Sequence, residues 1–270
     1  MRASEIATGG PREPPTNFRP TAGIDVAFTP PALSAGSTAV VIDALRATST
    51  IAQALAGGYR RVLCCADHAR AQELRAPGRV LAGESGCRRP PGYDLGNSPV
   101  EMCAQRGAEL ILATTNGTRA IVSVAALADE VLLAALVNLN AVTGSLARLA
   151  GDLLIVCAGT EGQPSVEDTY VAGRIAQQLP GPRTDAALVA EAAVAGSASA
   201  RDAFAAGRAA RRLEQAGLGG DVAWCARCSV LDVVPRVMGV EDGVAVVALA
   251  PSEAAAQAKR PPDAAAPGPW

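Results

Sequence analysis

"LATTNGTRA", residues 112–120, decides between two folds. An Asn-Gly pair between two alternating strands is the strongest short-range signal for a β-hairpin, which would put antiparallel strands on either side of it. The flanks read differently. Residues 109–115, "ELILATT", form a continuous apolar run instead of an alternating one, and 118–127 is a helix-length stretch of small and branched apolar residues. Thr115-Asn116-Gly117-Thr118 therefore reads as a turn from a buried strand into a helix.

The same alternation repeats outward in both directions. Short β-branched runs lie at 38–45, 60–66, 79–83, 109–115, 130–135 and 152–159, and helical pieces fall near 48–57, 67–75, 99–106, 118–127, 139–150 and 166–179. This is the pattern of a sheet covered by helices, so the expected fold is α/β, a three-layer α/β/α arrangement with a mostly parallel or mixed sheet. After Pro180 an Ala-rich helical stretch runs to about Ala216. A strand pair then follows, "VVPRVM" and "GVAVVAL", turned at Glu241-Asp242-Gly243.

Both ends read as tails. Residues 1–20 and 251–270 are rich in Pro, Ala and Gly and bury little, so a disordered N-terminal tail, a folded body over 21–250 and a disordered C-terminal tail are expected.

The chain has 270 residues, 49% of them hydrophobic, which is ample for a core, and its formal charge is −2. Interspersed charges leave no basic stripe for nucleic acid and no polybasic membrane patch. The longest apolar stretch, Ala120 to Val137, is interrupted by Asp129 and Glu130, which argues against a membrane span. Seven irregularly spaced cysteines, with no secretory leader pattern at the N-terminus, point to free thiols and the cytoplasm. The Ala-rich segment 184–216 is either a thin helical cover or a contact between two copies, and a homodimer is the expected assembly.

The polar clusters gather at strand ends, where ligands collect in open α/β sheets. Strand 39–42 runs into Asp43, Arg46, Thr48, Ser49 and Thr50. Strand 79–82 runs into Glu84, strand 109–113 into Thr115, Asn116, Gly117 and Thr118, and strand 152–156 into the 157–160 turn. Ser and Thr cap helices for purely structural reasons, so one such loop says little. Several converging loops beside Arg46, whose planar fork suits phosphate or sulfonate, describe an anion cradle.

The acids Asp43, Glu84, Asp94, Glu167 and Asp168 lie at strand ends or in loops. Carboxylates without a histidine cluster suit Mg²⁺ rather than zinc. For Glu167 and Asp168, complementing the dipole of the helix that follows is the competing structural explanation.

These residues also carry a resemblance. "VVIDALRATSTI", "GYDLGNSP", "TTNGTRA", "CAGT" followed by "VEDTYVAG", and the distal "AWC" and "DVVP" are similar, in order over about 38–236, to the ComB-like family, named for 2-phosphosulfolactate phosphatase. The resemblance implies an α/β/α fold and a Mg²⁺-dependent phosphatase that releases phosphate from 2-phospho-3-sulfolactate, a step of coenzyme M synthesis. Family membership is wider than that pathway, so another small phosphorylated acid is an alternative substrate. By this reading Asp43, Glu84 and Asp168 are expected metal ligands, with Glu167 a fourth candidate. Arg46, Thr48, Ser49 and Thr50 grip the phosphoryl group, and Thr115, Asn116, Gly117 and Thr118 grip it or the second anion. Asp94 and Asn97 order the loop over the site.

Other chemistries are less well served by the sequence. Asp43-Ala44-Leu45 lacks the second aspartate of an Asp-x-Asp phosphatase. Cys64 and Arg70 have thiol-phosphatase spacing, but Asp67 between them would repel phosphate. Cys157 lacks an arginine six residues on, His68 is the only histidine, and Cys225/Cys228 form a lone CxxC. A binding protein that keeps the pocket without turnover is the alternative from another class.

Overall fold

The computed structural model describes residues 23–30, 38–103, 108–149, 151–251 and 254. The tails expected at 1–20 and 251–270 lie outside the described residues, apart from Pro251 and Ala254; of the helix expected near 99–106 the described part is a short 3-10 helix, Val100–Cys103, and residues 104–107 lie outside them. Among the described residues the strands are β1 (Ile24–Ala27), β2 (Thr38–Ile42), β3 (Arg61–Cys65), β4 (Arg79–Gly83), β5 (Glu109–Ala113), β6 (Glu130–Ala134), β7 (Leu153–Cys157), β8 (Arg236–Glu241) and β9 (Val244–Ala248). The helices are α1 (Ala47–Ala56), α2 (His68–Glu73), α3 (Gly117–Ala125), α4 (Leu139–Leu146), α5 (Val166–Gln178), α6 (Asp185–Ala195), α7 (Ala200–Ala206), α8 (Arg208–Gln215) and α9 (Gly219–Cys225).

The strands join in one mixed sheet in the order β1-β7-β2-β6-β8-β9-β3-β5-β4. Two parallel blocks, β1-β7-β2-β6 and β3-β5-β4, flank the antiparallel β8–β9 hairpin. Three successive antiparallel pairings separate β6 from β3, so the two blocks run in opposite senses along the ladder. Central strands such as β2 and β5 are buried residue after residue, which is why they read as continuous apolar runs. The architecture is the expected α/β/α, with the hairpin making the sheet mixed.

Asp242 and Gly243 turn the β8–β9 hairpin with φ of 48° and 74°, the left-handed pair that suits the twist of the two strands. The Asn-Gly at 116–117 does something else. Asn116 has φ −117° and ψ −58°, and Gly117 opens α3. The Ala-rich segment resolves into α6, α7 and α8. Two elements were not anticipated from the sequence: β1, four residues paired in parallel with β7, and α9, which carries the buried Trp224. No helix among the described residues is long and apolar enough to cross a membrane.

Candidate active site

The carboxyl ends of β2, β4, β5 and β7 meet around a cavity of about 210 Å³. That is smaller than the roughly 300–1,000 Å³ of pockets for drug-sized ligands. Of the residues singled out above, Asp43, Arg46, Glu84, Asn97, Thr115 and Asn116 line it. Ser85, Gly86, Cys87, Thr160, Glu161 and Arg212 also line it.

The turn between β2 and α1 is closed by its own side chains. Thr48 Oγ1 donates to the carbonyl of Asp43 at 2.9 Å and accepts from the Asp43 amide at 3.1 Å. Ser49 Oγ donates to the Ala44 carbonyl, and Thr50 Oγ1 to the Asn97 carbonyl. These three hydroxyls, expected to grip phosphate, are committed to backbone and lie outside the cavity lining. Short hydroxylic side chains compete with the main chain for such bonds, and here they shape the loop that presents Asp43. Thr118 is spent in the same way: its amide donates to Thr114 Oγ1, and its own Oγ1 accepts from the Thr114 amide.

The residues of the opening stretch now have an assignment. Thr115 and Asn116 face the cavity, and the Thr115 amide donates to Glu84 Oε1 at 2.7 Å. Gly117 is required by close approach, because a Cβ there would collide with Asp43 Oδ2 and with the Ala47 methyl. Asn116 Oδ1 accepts from the Glu161 amide at 3.2 Å, tying this turn to the one after β7.

Arg46 is buried. Its Nη1 donates to Asp221 Oδ2 at 2.6 Å and its Nη2 to the Cys87 carbonyl at 3.2 Å, with the two charged side chains only 3% and 5% exposed. Asp221 also accepts from Ser98 Oγ at 2.7 Å. Arg46 therefore braces the wall of the cavity while one face lines it. Asp221, on α9 and 175 residues away in sequence, carried no sequence signal because nothing in its own neighbourhood is polar in a patterned way.

The four acids separate by environment. Asp43 and Glu84 face the cavity; Asp168 and Glu167 do not line it. Asp168 is buried and accepts from the amides of Ala44, at 2.8 Å, and Gly159, at 3.1 Å, so it locks the β2 and β7 turns together. Burial pushes its carboxyl up to about 6 against the pull of those two amides. The Asp43 carboxyl is raised well above its ordinary range, first by burial and then by the nearby charges of Asp168 and Glu84. Glu167 is raised to about 8, by burial and then by Asp168. Its Oε2 has no hydrogen-bond partner and abuts Gly207, where a Cβ would collide with it.

Glu167 thus costs stability whenever it is ionised. Its folded-state value lies above the usual 4.5, so the folded chain holds the proton more tightly than the unfolded one. The penalty is absent below about pH 4.5, grows as pH rises and is complete above about 8. Glu167→Gln, melted in the presence of a chelator, is expected to match the parent at pH 4.5 and to exceed it at pH 7.5 by on the order of 3 kcal/mol. Parallel melting curves at both pH values would contradict this placement of the charge.

Among the described residues no three His, Cys, Asp or Glu side chains form a closed metal-ligating cluster. Mg²⁺ does not need one, since one or two carboxylates commonly hold it together with water and substrate phosphate. Asp43 and Glu84 meet that requirement: hard oxygen donors, beside a cavity, with like-charge repulsion that a cation relieves. Glu84 keeps its orientation because its two oxygens accept from the amides of Thr115 and Cys87.

The two thiols weighed from the sequence, Cys64 and Cys157, offer no competing nucleophile, and burial also raises the thiol of Cys87, which lines the cavity. Cys64 and Cys157 are fully buried, and burial raises both thiols far above the range in which thiolate forms at neutral pH; for Cys157 the Asp168 charge adds to the effect.

Comparison with known proteins identifies the family. The family model described as 2-phosphosulpholactate phosphatase matches residues 27–239, a span that contains every cavity residue named above. A protein of Pseudothermotoga lettingae described as "Probable 2-phosphosulfolactate phosphatase" is 36% identical over 214 residues, covering 78% of this chain and 94% of that protein. Proteins with the same description are 35% identical over 221 residues in Thermotoga maritima, covering 80% of this chain and 95% of the relative, and 39% identical over 213 residues in Symbiobacterium thermophilum, covering 74% and 91%. With the match running from β1 into β8 and across the whole cavity wall, the chain belongs to the 2-phosphosulfolactate phosphatase family.

Proposed function

We propose that this protein hydrolyses 2-phospho-3-sulfolactate to 3-sulfolactate and inorganic phosphate, using Mg²⁺, in the coenzyme M type of pathway. The observation that carries the reading is the pair Asp43 and Glu84 at one wall of a small cavity, inside the matched family span. The relatives' descriptions supply the substrate. Seven free cysteines, two of them in β3, suit a reducing cytoplasm.

Phosphoryl transfer is catalysed mainly by positioning and by charge stabilisation. Asp43 and Glu84 would hold the Mg²⁺, which supplies positive charge to the phosphoryl oxygens. The Arg46 guanidinium, fixed by Asp221 and the Cys87 carbonyl, keeps the Ser85–Cys87 turn against the cavity. Asn97 also lines the cavity, with its Oδ1 buried and without a hydrogen-bond partner. In the simplest scheme water attacks phosphorus in line. One of the two cavity carboxylates, Asp43 or Glu84, takes the water's proton as the P–O ester bond breaks. The alkoxide of sulfolactate leaves and is protonated from solvent.

The test is phosphate release from racemic 2-phospho-3-sulfolactate, beside phosphoglycolate and 2-phospholactate, with Mg²⁺ and with excess EDTA. EDTA-sensitive turnover that favours the sulfonate compound is expected. Turnover only of another compound reassigns the substrate, and turnover that survives EDTA removes the metal from the scheme.

A further inference from the structure

Two arginines line the cavity, and they are in opposite situations. The charge of Arg46 is balanced inside the protein by Asp221. Arg212, on α8, has a side chain 42% exposed and faces Glu161, whose side chain is 51% exposed. The contact is a two-bond fork: Nη1 to Oε1 at 2.7 Å and Nη2 to Oε2 at 3.0 Å.

A guanidinium makes the same fork with a planar carboxylate or with two oxygens of a tetrahedral sulfonate, so Glu161 occupies the place that a substrate acid group would take. Exposed ion pairs contribute at most about 1 kcal/mol, so a substrate acid can displace Glu161 cheaply. The turn that carries Glu161 is itself held in place. The Glu161 amide donates to Asn116 Oδ1, and Arg208 Nη2 donates to the Thr160 carbonyl at 2.8 Å. The backbone of Glu161 is therefore anchored beside Arg212 independently of the ion pair.

We propose that Arg212 binds an acid group that the substrate carries besides its phosphoryl ester and so selects acid-bearing phosphomonoesters, and that Glu161 holds its guanidinium ready until the substrate displaces it. The inference rests on the phosphatase reading above. A phosphorylated sulfo-acid brings two further anions into a cavity already lined by Asp43 and Glu84, and with Arg46 neutralised, Arg212 is the cavity-lining arginine whose partner can be exchanged.

The test compares the parent protein with Arg212→Ala, Arg212→Lys and Glu161→Gln on three phosphomonoesters: 2-phospho-3-sulfolactate, 2-phospholactate and glycerol 2-phosphate, the last without an acid group. Binding of 3-sulfolactate in the presence of Mg²⁺ is measured by calorimetry alongside, because it needs no turnover. Arg212→Ala is expected to raise KM for the two acid-bearing esters by about 10–100-fold, the worth of a charge-assisted pair, with kcat and the glycerol 2-phosphate kinetics within about threefold. Arg212→Lys recovers part of the loss, Glu161→Gln lowers KM for the acid-bearing esters, and 3-sulfolactate affinity falls in Arg212→Ala by the same factor. An equal KM loss on all three esters, a fall in kcat alone, or unchanged 3-sulfolactate affinity overturns the proposal. If the parent releases phosphate from none of the three, the phosphatase reading fails. The calorimetry then still decides: binding lost in Arg212→Ala supports the role of Arg212, and no binding to the parent overturns it.

Discussion

Asp43→Asn is expected to lower kcat for phosphate release by at least about 10³-fold, close to 4 kcal/mol of barrier, while leaving the protein at least as stable as the parent. Both halves follow from one environment. The carboxylate is buried, lies against Gly117 and shares its surroundings with Asp168 and Glu84, so its charge is costly in the absence of a cation. Asparagine keeps the shape, removes the charge and cannot accept the attacking water's proton. A chelated sample that melts at or above the parent temperature, together with lost turnover, matches this expectation. Turnover within tenfold of the parent would remove Asp43 from the chemistry, and a large drop in melting temperature would make it a structural residue.

Asp221→Ala is expected to act in the opposite way, chiefly on stability. It leaves the Arg46 guanidinium buried without its counter-charge and Ser98 Oγ without its acceptor. Orphaning one member of a buried pair typically costs about 3–5 kcal/mol, because the remaining charge has lost its solvation and gained nothing. For a chain of this size that is a fall in melting temperature of about 10 °C. Turnover should fall as well, since Arg46 ties the Cys87 carbonyl to the cavity wall. Thermal melts of Asp221→Ala and the double variant Arg46→Met/Asp221→Leu separate the contributions. The double variant should recover much of the stability but not the turnover. A single variant that melts within 2–3 °C of the parent, roughly 1 kcal/mol, would mean the pair is unimportant to the fold.

The fold was legible where burial imposes a pattern. Strands β2 to β7 are hydrophobic on both faces, and their five-residue runs stand out against helices of different period. Strand β1 escaped because "IDVA" is short and its apolar run is broken by the exposed Asp25, as a sheet edge permits. The opposed directions of the two parallel blocks were not legible at all. They depend on the β8–β9 hairpin, which follows both blocks in sequence, inserting between β6 and β3, and no local pattern encodes that choice.

The site was legible in its acids and less so in its hydroxyls. Asp43, Glu84, Asn97, Thr115 and Asn116 do meet at one cavity. Thr48, Ser49, Thr50 and Thr118 look the same in sequence, but each finds a backbone partner within its own turn or the next loop, a choice set by local geometry. Asp168 and Glu167 are adjacent in sequence, yet the first is cradled by two amides while the second has a free oxygen against Gly207; one helical step of about 100° separates those surroundings. Asp221, Glu161 and Arg212 became visible only once α8 and α9 were folded over the sheet ends.

The most direct test of the central claim is a crystal of the protein soaked with Mg²⁺ and orthovanadate, with the bound positions read from the density. The account predicts vanadate in the cavity between Asp43, Glu84 and the Thr115–Asn116 turn, with a cation in contact with the Asp43 and Glu84 carboxylates. Vanadate bound away from these residues, or a cation held by other side chains while Asp43 and Glu84 stay bare, would contradict it.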